Sequence, residues 1–276
     1  MWPTVPPDRS FTIPQPDFLS ADARDRYNSR MVPLRLLPFQ SAVGPTLMAQ
    51  DEALLHSATA GIATLRFYAW NEPTLSLGYF QSAALRKNVP HLDELPWVRR
   101  ATGGAALVHH HELTYALALP PGSPWHDPHP LPWTCRFHQI LAEVLHKGWN
   151  LTVKRVNCGE ERKLGEVLCF LDQTRGDLLA DGHKIAGSAQ RKQRGAILQH
   201  GGILLRQSRY TPELPGIAEL LGLDLAPQEL ADEMTQAIAQ EINASIVPDN
   251  WTDHERATAE AIAQERYRNP EWNNKR

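Results

Sequence analysis

Apolar and polar positions change period along this chain. From Thr46 to Thr59, TLMAQDEALLHSAT sets Leu47, Ala49, Leu54 and Leu55 near helical spacing, with Asp51 and Glu52 between them, and predicts a helix. ATLRFYAW (63–70) alternates as a strand. Asn71-Glu72-Pro73 reads as a turn and TLSLGYF (74–80) as a second strand, so a hairpin is expected. A short segment at 81–87 and a proline-bounded loop follow. Residues 97–120 read as strand, glycine turn, strand, then a further alternating strand through Leu113, Tyr115 and Leu117, stopped by Pro120-Pro121-Gly122. Between Trp133 and Trp149, Phe137, Ile140, Leu141, Val144 and Leu145 mark an amphipathic helix, with both tryptophans read as packing. Residues 151–156 and several short β segments run to Leu205, broken at Asp181-Gly182, Gly187, Gly195 and Gly201-Gly202. The remainder turns helical, most clearly in ELADEMTQAIAQEINASI (229–246). Helices and strands mix without regular βαβ alternation, which argues an α+β fold. Residues 1–30, rich in proline and without periodicity, are expected to form an extended arm, 31–250 the main domain and 251–276 a helical tail.

Composition narrows the class. At 276 residues and 42% hydrophobic, the chain can bury one large core or two smaller ones. A net charge of −3 supplies no basic field toward nucleic acid or an anionic membrane. No apolar run approaches the roughly 18–20 residues that a membrane span needs. MWPTVPPDRS lacks a basic segment followed by an apolar one, so secretion is not expected. Three scattered cysteines, Cys135, Cys158 and Cys169, make no disulfide framework and suit a reducing compartment. The expectation is a soluble cytoplasmic protein that binds neither nucleic acid nor membrane.

The candidate chemistry centres on Cys169-Phe170 and, fifteen residues on, Lys184. Thiolate is the attacking form of cysteine, and a nearby ammonium favours it, so such a pair suits acyl transfer through a thioester. The plain alternatives are an inert cysteine on a buried strand between Leu168 and Phe170, and an exposed lysine just after the Asp181-Gly182 turn. Gly187-Ser188-Ala189 is a run of small residues that lets a ligand or a neighbouring strand approach the backbone. His200 reads as a general base or a core histidine. In RRATGGAA (99–106), Arg99 and Arg100 precede a tight turn at Gly103-Gly104, which suits an anionic ligand or an ordinary hairpin. His109-His110-His111-Glu112 hints at metal, but neighbours in a strand face opposite sides and no further ligand motif completes a shell, so no metal site is assigned.

Taken in order, WNEPTLSLGYFQ (70–81), RRATGG with His109, ELTY (112–115), DGHKIAGSAQ (181–190) and LQHGGILL (198–205) resemble the biotin/lipoate protein ligase and octanoyltransferase family over about residues 32–250. The closing YRNPEWNNKR also resembles the C-terminal end of family members. The resemblance implies mixed and antiparallel sheets flanked by helices, in the catalytic-domain fold of that family. It implies acyl transfer in protein lipoylation and best fits the octanoyltransferase branch whose nucleophile lies in a Cys-Phe pair upstream of the lysine turn. That branch takes octanoate from acyl carrier protein and passes it to a lysine of a lipoyl domain or of the glycine cleavage H protein. Cys169 and Lys184 are then the catalytic pair. Arg99, Arg100, Gly103, Gly104, His109, Gly187, Ser188, Ala189 and His200 bind the acyl group and substrate, and no cofactor is required. Leu75, Leu77, Leu107 and Val108 are expected walls of an acyl tunnel. The runner-up is an ATP-dependent lipoate ligase, using ATP and Mg, in which Lys184 meets the adenylate phosphate and Arg100 the nucleotide. Against it, the glycine loop reads GGA, with Ala105 where ligases usually carry a third glycine. A protein that binds the acyl domain without turnover is the non-enzymatic alternative.

Overall fold

A computed structural model describes residues 31–276 apart from 89, 90, 123 and 166. The arm expected at residues 1–30 lies outside the described residues. The chain runs β1 (Val32–Leu36), β2 (Gln40–Ala42), helix α1 (Gly44–Thr59), β3 (Thr64–Trp70), β4 (Thr74–Leu77), a 3-10 segment (Ala83–Asn88), β5 (Trp97–Arg99), β6 (Leu107–His109) and β7 (Glu112–Leu119). Then come α2 (Trp133–Trp149), β8 (Lys154–Arg155), β9 (Leu178–Ala180), β10 (His183–Gln193), β11 (Ala196–Leu204), α3 (Ile217–Leu221) and α4 (Pro227–Glu241). The last elements are β12 (Ala244–Pro248), α5 (Asp253–Ile262), a π segment (Ala263–Tyr267) and α6 (Pro270–Asn273).

Nine strands form one mixed sheet in the order β12-β1-β3-β7-β11-β10-β9-β8, with β2 also on β3, and β5-β4-β6 form a small second sheet. The fold is the α+β arrangement that the pattern predicts. The alternation in β7 explains its layers. Leu113, Tyr115, Leu117 and Leu119 face the core shared with α2 and α4, while Ala116 and Ala118 face the core shared with α1 and α5. Both faces of this strand are therefore buried, and its alanine side lets α1 pack closely. Tyr115 stacks on Phe137 of α2 at 3.7 Å between ring centroids. Helix α1 buries Asp51 and Glu52 as well as its leucines. Each acid is paired, Asp51 with Arg66 and Glu52 with Arg266 and Tyr267. The terminal segment closes against β5, where Trp272 Nε1 donates to the Arg99 carbonyl at 2.8 Å.

Three expectations need correction. The strands at 63–70 and 74–80 do not form a hairpin. β3 already has β1 and β2 on one edge and β7 on the other, so β4 crosses to the small sheet and pairs with β5 and β6. The helix expected through Ile246 stops at Glu241. Asn243 takes a left-handed φ of 50°, and the chain continues as β12, parallel to β1. Residues 151–156 supply only the two-residue β8. Among the described residues, no helix is long and apolar enough to cross a membrane.

Candidate active site

The segment before β9 hooks onto the end of the glycine loop. Ala106 N donates to the Val167 carbonyl at 2.8 Å, and Cys169 N donates to the Ala106 carbonyl at 2.7 Å. Cys169 is therefore not in the buried strand expected of it. It sits half-buried in a turn, where Leu171 N donates to Leu168 O and Asp172 N to Cys169 O. Its neighbours Leu168 and Phe170 plug the apolar cluster of the small sheet and so anchor the turn.

Lys184 departs from its plain expectation too. The Asp181-Gly182 turn is exposed, but alternation along β10 turns His183 outward and Lys184 inward, leaving Lys184 only 4% exposed. Its Nζ lies 2.7 Å from Asp177 Oδ2, 3.2 Å from the Cys169 carbonyl, 3.3 Å from the Asp172 carbonyl and 3.5 Å from Cys169 Sγ. Burial disfavours the ammonium, yet Cys169 and Asp177 outweigh it and hold the lysine above its ordinary pKa. Gly187 is what gives this side chain its path. A Cβ there would fall 2.6 Å from Lys184 Cε and 3.0 Å from Nζ.

Cys169 opens onto a cavity. One wall is Gly187, Ser188 and Ala189 of β10 with His200, Gly201 and Gly202 of β11. The other is Ser76, Leu107 and His109 of the small sheet with Arg100, Gly104 and Ala105 of the glycine loop. Of the four expected tunnel residues, only Leu107 lines it. Leu75, Leu77 and Val108 fall on the opposite side of β4 and β6 and fill the core of the small sheet.

The two adjacent arginines part company for the same reason. Arg100 Nη1 donates to the Ser76 carbonyl and hydroxyl at 3.1 Å each, and Nη2 to the Gly103 and Ala105 carbonyls at 2.9 and 2.7 Å. Burial lowers the pKa of Arg100, and Cys169 acts in the opposite direction. Arg99 does not reach the cavity. Its Nε donates to the Asn273 carbonyl at 2.9 Å and its Nη1 to the Gln81 carbonyl at 2.5 Å. Gly103 also lies off the wall, beside Phe80. His200 is held between Asp51 Oδ2 and Thr102 Oγ1, each at 2.8 Å. His109 joins Glu112 through Nδ1 and Ser76 through Nε2, the latter at 2.8 Å. His110 and His111 are not strand neighbours of His109 but stack on each other in the turn before β7. Asp177, Ser76, Glu112, Thr102 and Asp51 were not singled out as site residues. Asp177 carries no motif, whereas Ser76, Thr102 and Glu112 lie inside the segments 70–81, 99–104 and 112–115 that carry the family resemblance.

The fold has known counterparts. The model of the lipoyl protein ligase A/B catalytic domain matches residues 45–214. Octanoyltransferase LipM of Brevibacillus brevis is 33% identical over 269 residues, covering 85% of this chain and 96% of the relative. Octanoyltransferase LipM of Bacillus subtilis is 30% identical over 262 residues, covering 83% and 93%. Among solved structures, lipoate-protein ligase A bound with ATP superposes with a TM-score of 0.67 at 20% identity, covering 88% of this chain and 99% of the other. The bipartite lipoate protein ligase of Thermoplasma acidophilum, solved with its E2 lipoyl domain, gives 0.63 at 20% identity, covering 89% and 97%. At that identity the structural likeness speaks for the fold. The chain belongs to the lipoyl protein ligase A/B catalytic-domain family.

Proposed function

We propose that this protein is an octanoyltransferase of protein lipoylation, moving octanoyl from acyl carrier protein through a Cys169 thioester to a lysine of a lipoyl domain or glycine cleavage H protein. The observation that carries this reading is the Lys184 ammonium 3.5 Å from the Cys169 sulfur on the wall of one cavity. The relatives named octanoyltransferase LipM support it. An ammonium at that distance favours the thiolate, which attacks the octanoyl thioester. The carrier thiol leaves, and the octanoyl group stays on Cys169. Backbone amides of the Gly187–Ala189 run hold the oxyanion in this reading, where small side chains let the carbonyl come close. The acceptor amine then attacks the new thioester. An amide is more stable than a thioester, so the transfer needs no ATP.

The ligase alternative asks Arg100 to meet a nucleotide. Here the Arg100 guanidinium is spent on loop carbonyls and Ser76, which weighs against it. The test is intact-protein mass spectrometry after incubation with octanoyl-acyl carrier protein in the absence of ATP. The expected result is a hydroxylamine-labile octanoyl adduct that Cys169→Ala abolishes. Acceptor modification that appears only with ATP and free lipoate or octanoate overturns the reading in favour of the ligase. Binding of the acyl domain without turnover under either condition leaves a non-catalytic protein.

A further inference from the structure

Lys184 is poorly suited to one half of this chemistry. Its ammonium is pinned to Asp177 at 2.7 Å and held in the charged form, so it attracts a thiolate but does not take a proton from an incoming amine. The acceptor lysine arrives as an ammonium with an ordinary pKa of about 10.4 and must lose protons to attack. That step calls for a base elsewhere on the cavity wall.

The wall holds a hydrogen-bond chain with a single polarity. Arginine only donates, and Arg100 Nη1 donates to Ser76 Oγ at 3.1 Å. Ser76 Oγ lies 2.8 Å from His109 Nε2, and His109 Nδ1 is hydrogen-bonded to Glu112 Oε1. An ionised carboxylate only accepts, so Nδ1 carries a proton toward Glu112, and the neutral ring accepts the Ser76 hydroxyl at Nε2. Glu112 Oε1 is fixed from the far side by the Thr114 hydroxyl at 2.7 Å, itself held by Trp70 Nε1 at 3.0 Å. The Trp70 ring stacks on the imidazole at 3.8 Å, 13° from parallel. The charged groups touching this chain are Arg100 at one end and Glu112 at the other. A hydroxyl has two lone pairs, so Ser76 Oγ keeps one for a donor in the cavity. Ser76 and His109 line the same cavity as Cys169.

We propose that Ser76, His109 and Glu112 form a proton relay that acts as the base of the second half-reaction, drawing a proton from the acceptor amine as it attacks the Cys169 thioester. This rests on the octanoyltransferase reading above. In that step the N–C bond forms and the C–S bond breaks, the electron pair staying on sulfur beside Lys184. The acceptor ammonium gives one proton to water before attack. It gives the second to Ser76 Oγ as the Ser76 proton moves to His109 Nε2, and the imidazolium later releases it to solvent. Glu112 is the positioning residue that steadies the charged ring.

The experiment separates the two half-reactions. Wild type, His109→Gln and Ser76→Ala are loaded with octanoyl-acyl carrier protein, freed of donor, and mixed with either a lipoyl domain or hydroxylamine at pH 7. Loss of the adduct is followed by intact mass in a single turnover. Hydroxylamine is uncharged at this pH and a strong enough nucleophile to cleave a thioester without a protein base. For His109→Gln, discharge to the lipoyl-domain lysine is expected to fall about 10²- to 10⁴-fold relative to hydroxylamine discharge of the same loaded variant. Ser76→Ala is expected to show the same split. Should His109→Gln fail to load, the near-isosteric Glu112→Gln carries the same comparison. Equal slowing with both nucleophiles, or undiminished discharge to lysine, overturns the relay. A wild-type protein that forms no adduct overturns the thioester reading, and the relay with it.

Discussion

Two ion pairs are buried to similar depth in this protein and are put to opposite uses. Arg66 and Asp51 are 1% and 2% exposed at their side chains, Lys184 and Asp177 2% and 4%. The Arg66 fork makes four hydrogen bonds. Nε and Nη2 meet Asp51 Oδ1 at 3.0 and 2.5 Å, Nη2 also meets the Leu47 carbonyl, and Nη1 meets Gln50. The other Asp51 oxygen takes the Tyr68 hydroxyl and His200. Burial pushes the Asp51 carboxyl up, but Arg66 and His200 bring it below its ordinary value. Lys184 instead has three protons for four acceptors, and the sulfur is the most distant of them at 3.5 Å. A rigid fork closes a pair and locks β3 to α1. A point charge on a flexible stem leaves attraction over for a reactive neighbour.

Breaking the open pair has the largest expected effect. Lys184→Met should slow Cys169 acylation about 10²- to 10³-fold at pH 7, the size of losing one preorganised charge at a reacting centre. Single-turnover acylation should recover in part as pH rises. A pH-independent defect would remove Lys184 from that role. The same variant strands Asp177 and should lower the melting temperature. Adding Asp177→Asn should restore the melting temperature but not the rate.

Breaking the closed pair should show in stability first. Arg66→Met leaves Asp51 buried without its main counter-charge and is expected to cost about 3–5 kcal/mol in denaturant unfolding. The thioester should still form where the protein remains folded. A milder perturbation sharpens the contrast. In Gly187→Ala the new methyl meets Lys184 Cε at 2.6 Å and displaces the amine. A shift on the order of 1 Å should slow acylation by about 10- to 100-fold. Its melting temperature should fall less than that of Lys184→Met.

The smallest effect concerns a third ion pair. Burial raises the Glu255 carboxyl, but Arg35 at 2.6 Å, the Thr252 amide and Ser57 together bring it below its ordinary value. Its folded pKa therefore lies below the unfolded value of about 4.3. The stability it contributes is present above that pH and is lost as pH falls through the folded pKa. In acid titrations followed by circular dichroism, Glu255→Gln should flatten this part of the curve and leave the Lys184 rate profile unchanged.

The contrast between the pairs also marks how far the sequence reaches. The spacing of Phe137, Ile140, Leu141, Val144 and Leu145 predicts a helix over Trp133–Trp149, and α2 spans those residues. The alternation in 112–119 predicts a strand, and β7 is there. Cys169, Lys184, Arg100, Gly104, His109, His200 and the Gly187–Ala189 run were all legible as candidates and line or adjoin one cavity. Periodicity reports which face of an element is apolar, and motif order reports a family, because both are local or ordered along the chain. Neither reports which edge of a strand is free. That is why β4 left the expected hairpin and why β12 went unseen.

Local pattern and motif order carry the class of fold, the family and the identity of the thiol and the amine. That the two meet is settled by tertiary packing. It decided that Asp177, with no motif of its own, would hold Lys184 cationic, and that Arg99 would turn to Asn273 while Arg100 turned to the cavity. It also joined Ser76, His109 and Glu112 into one chain of hydrogen bonds. One cause underlies all four. A buried charge or hydroxyl must find its partner through space, and the partner's position along the chain is fixed by sheet order and strand register rather than by any local pattern.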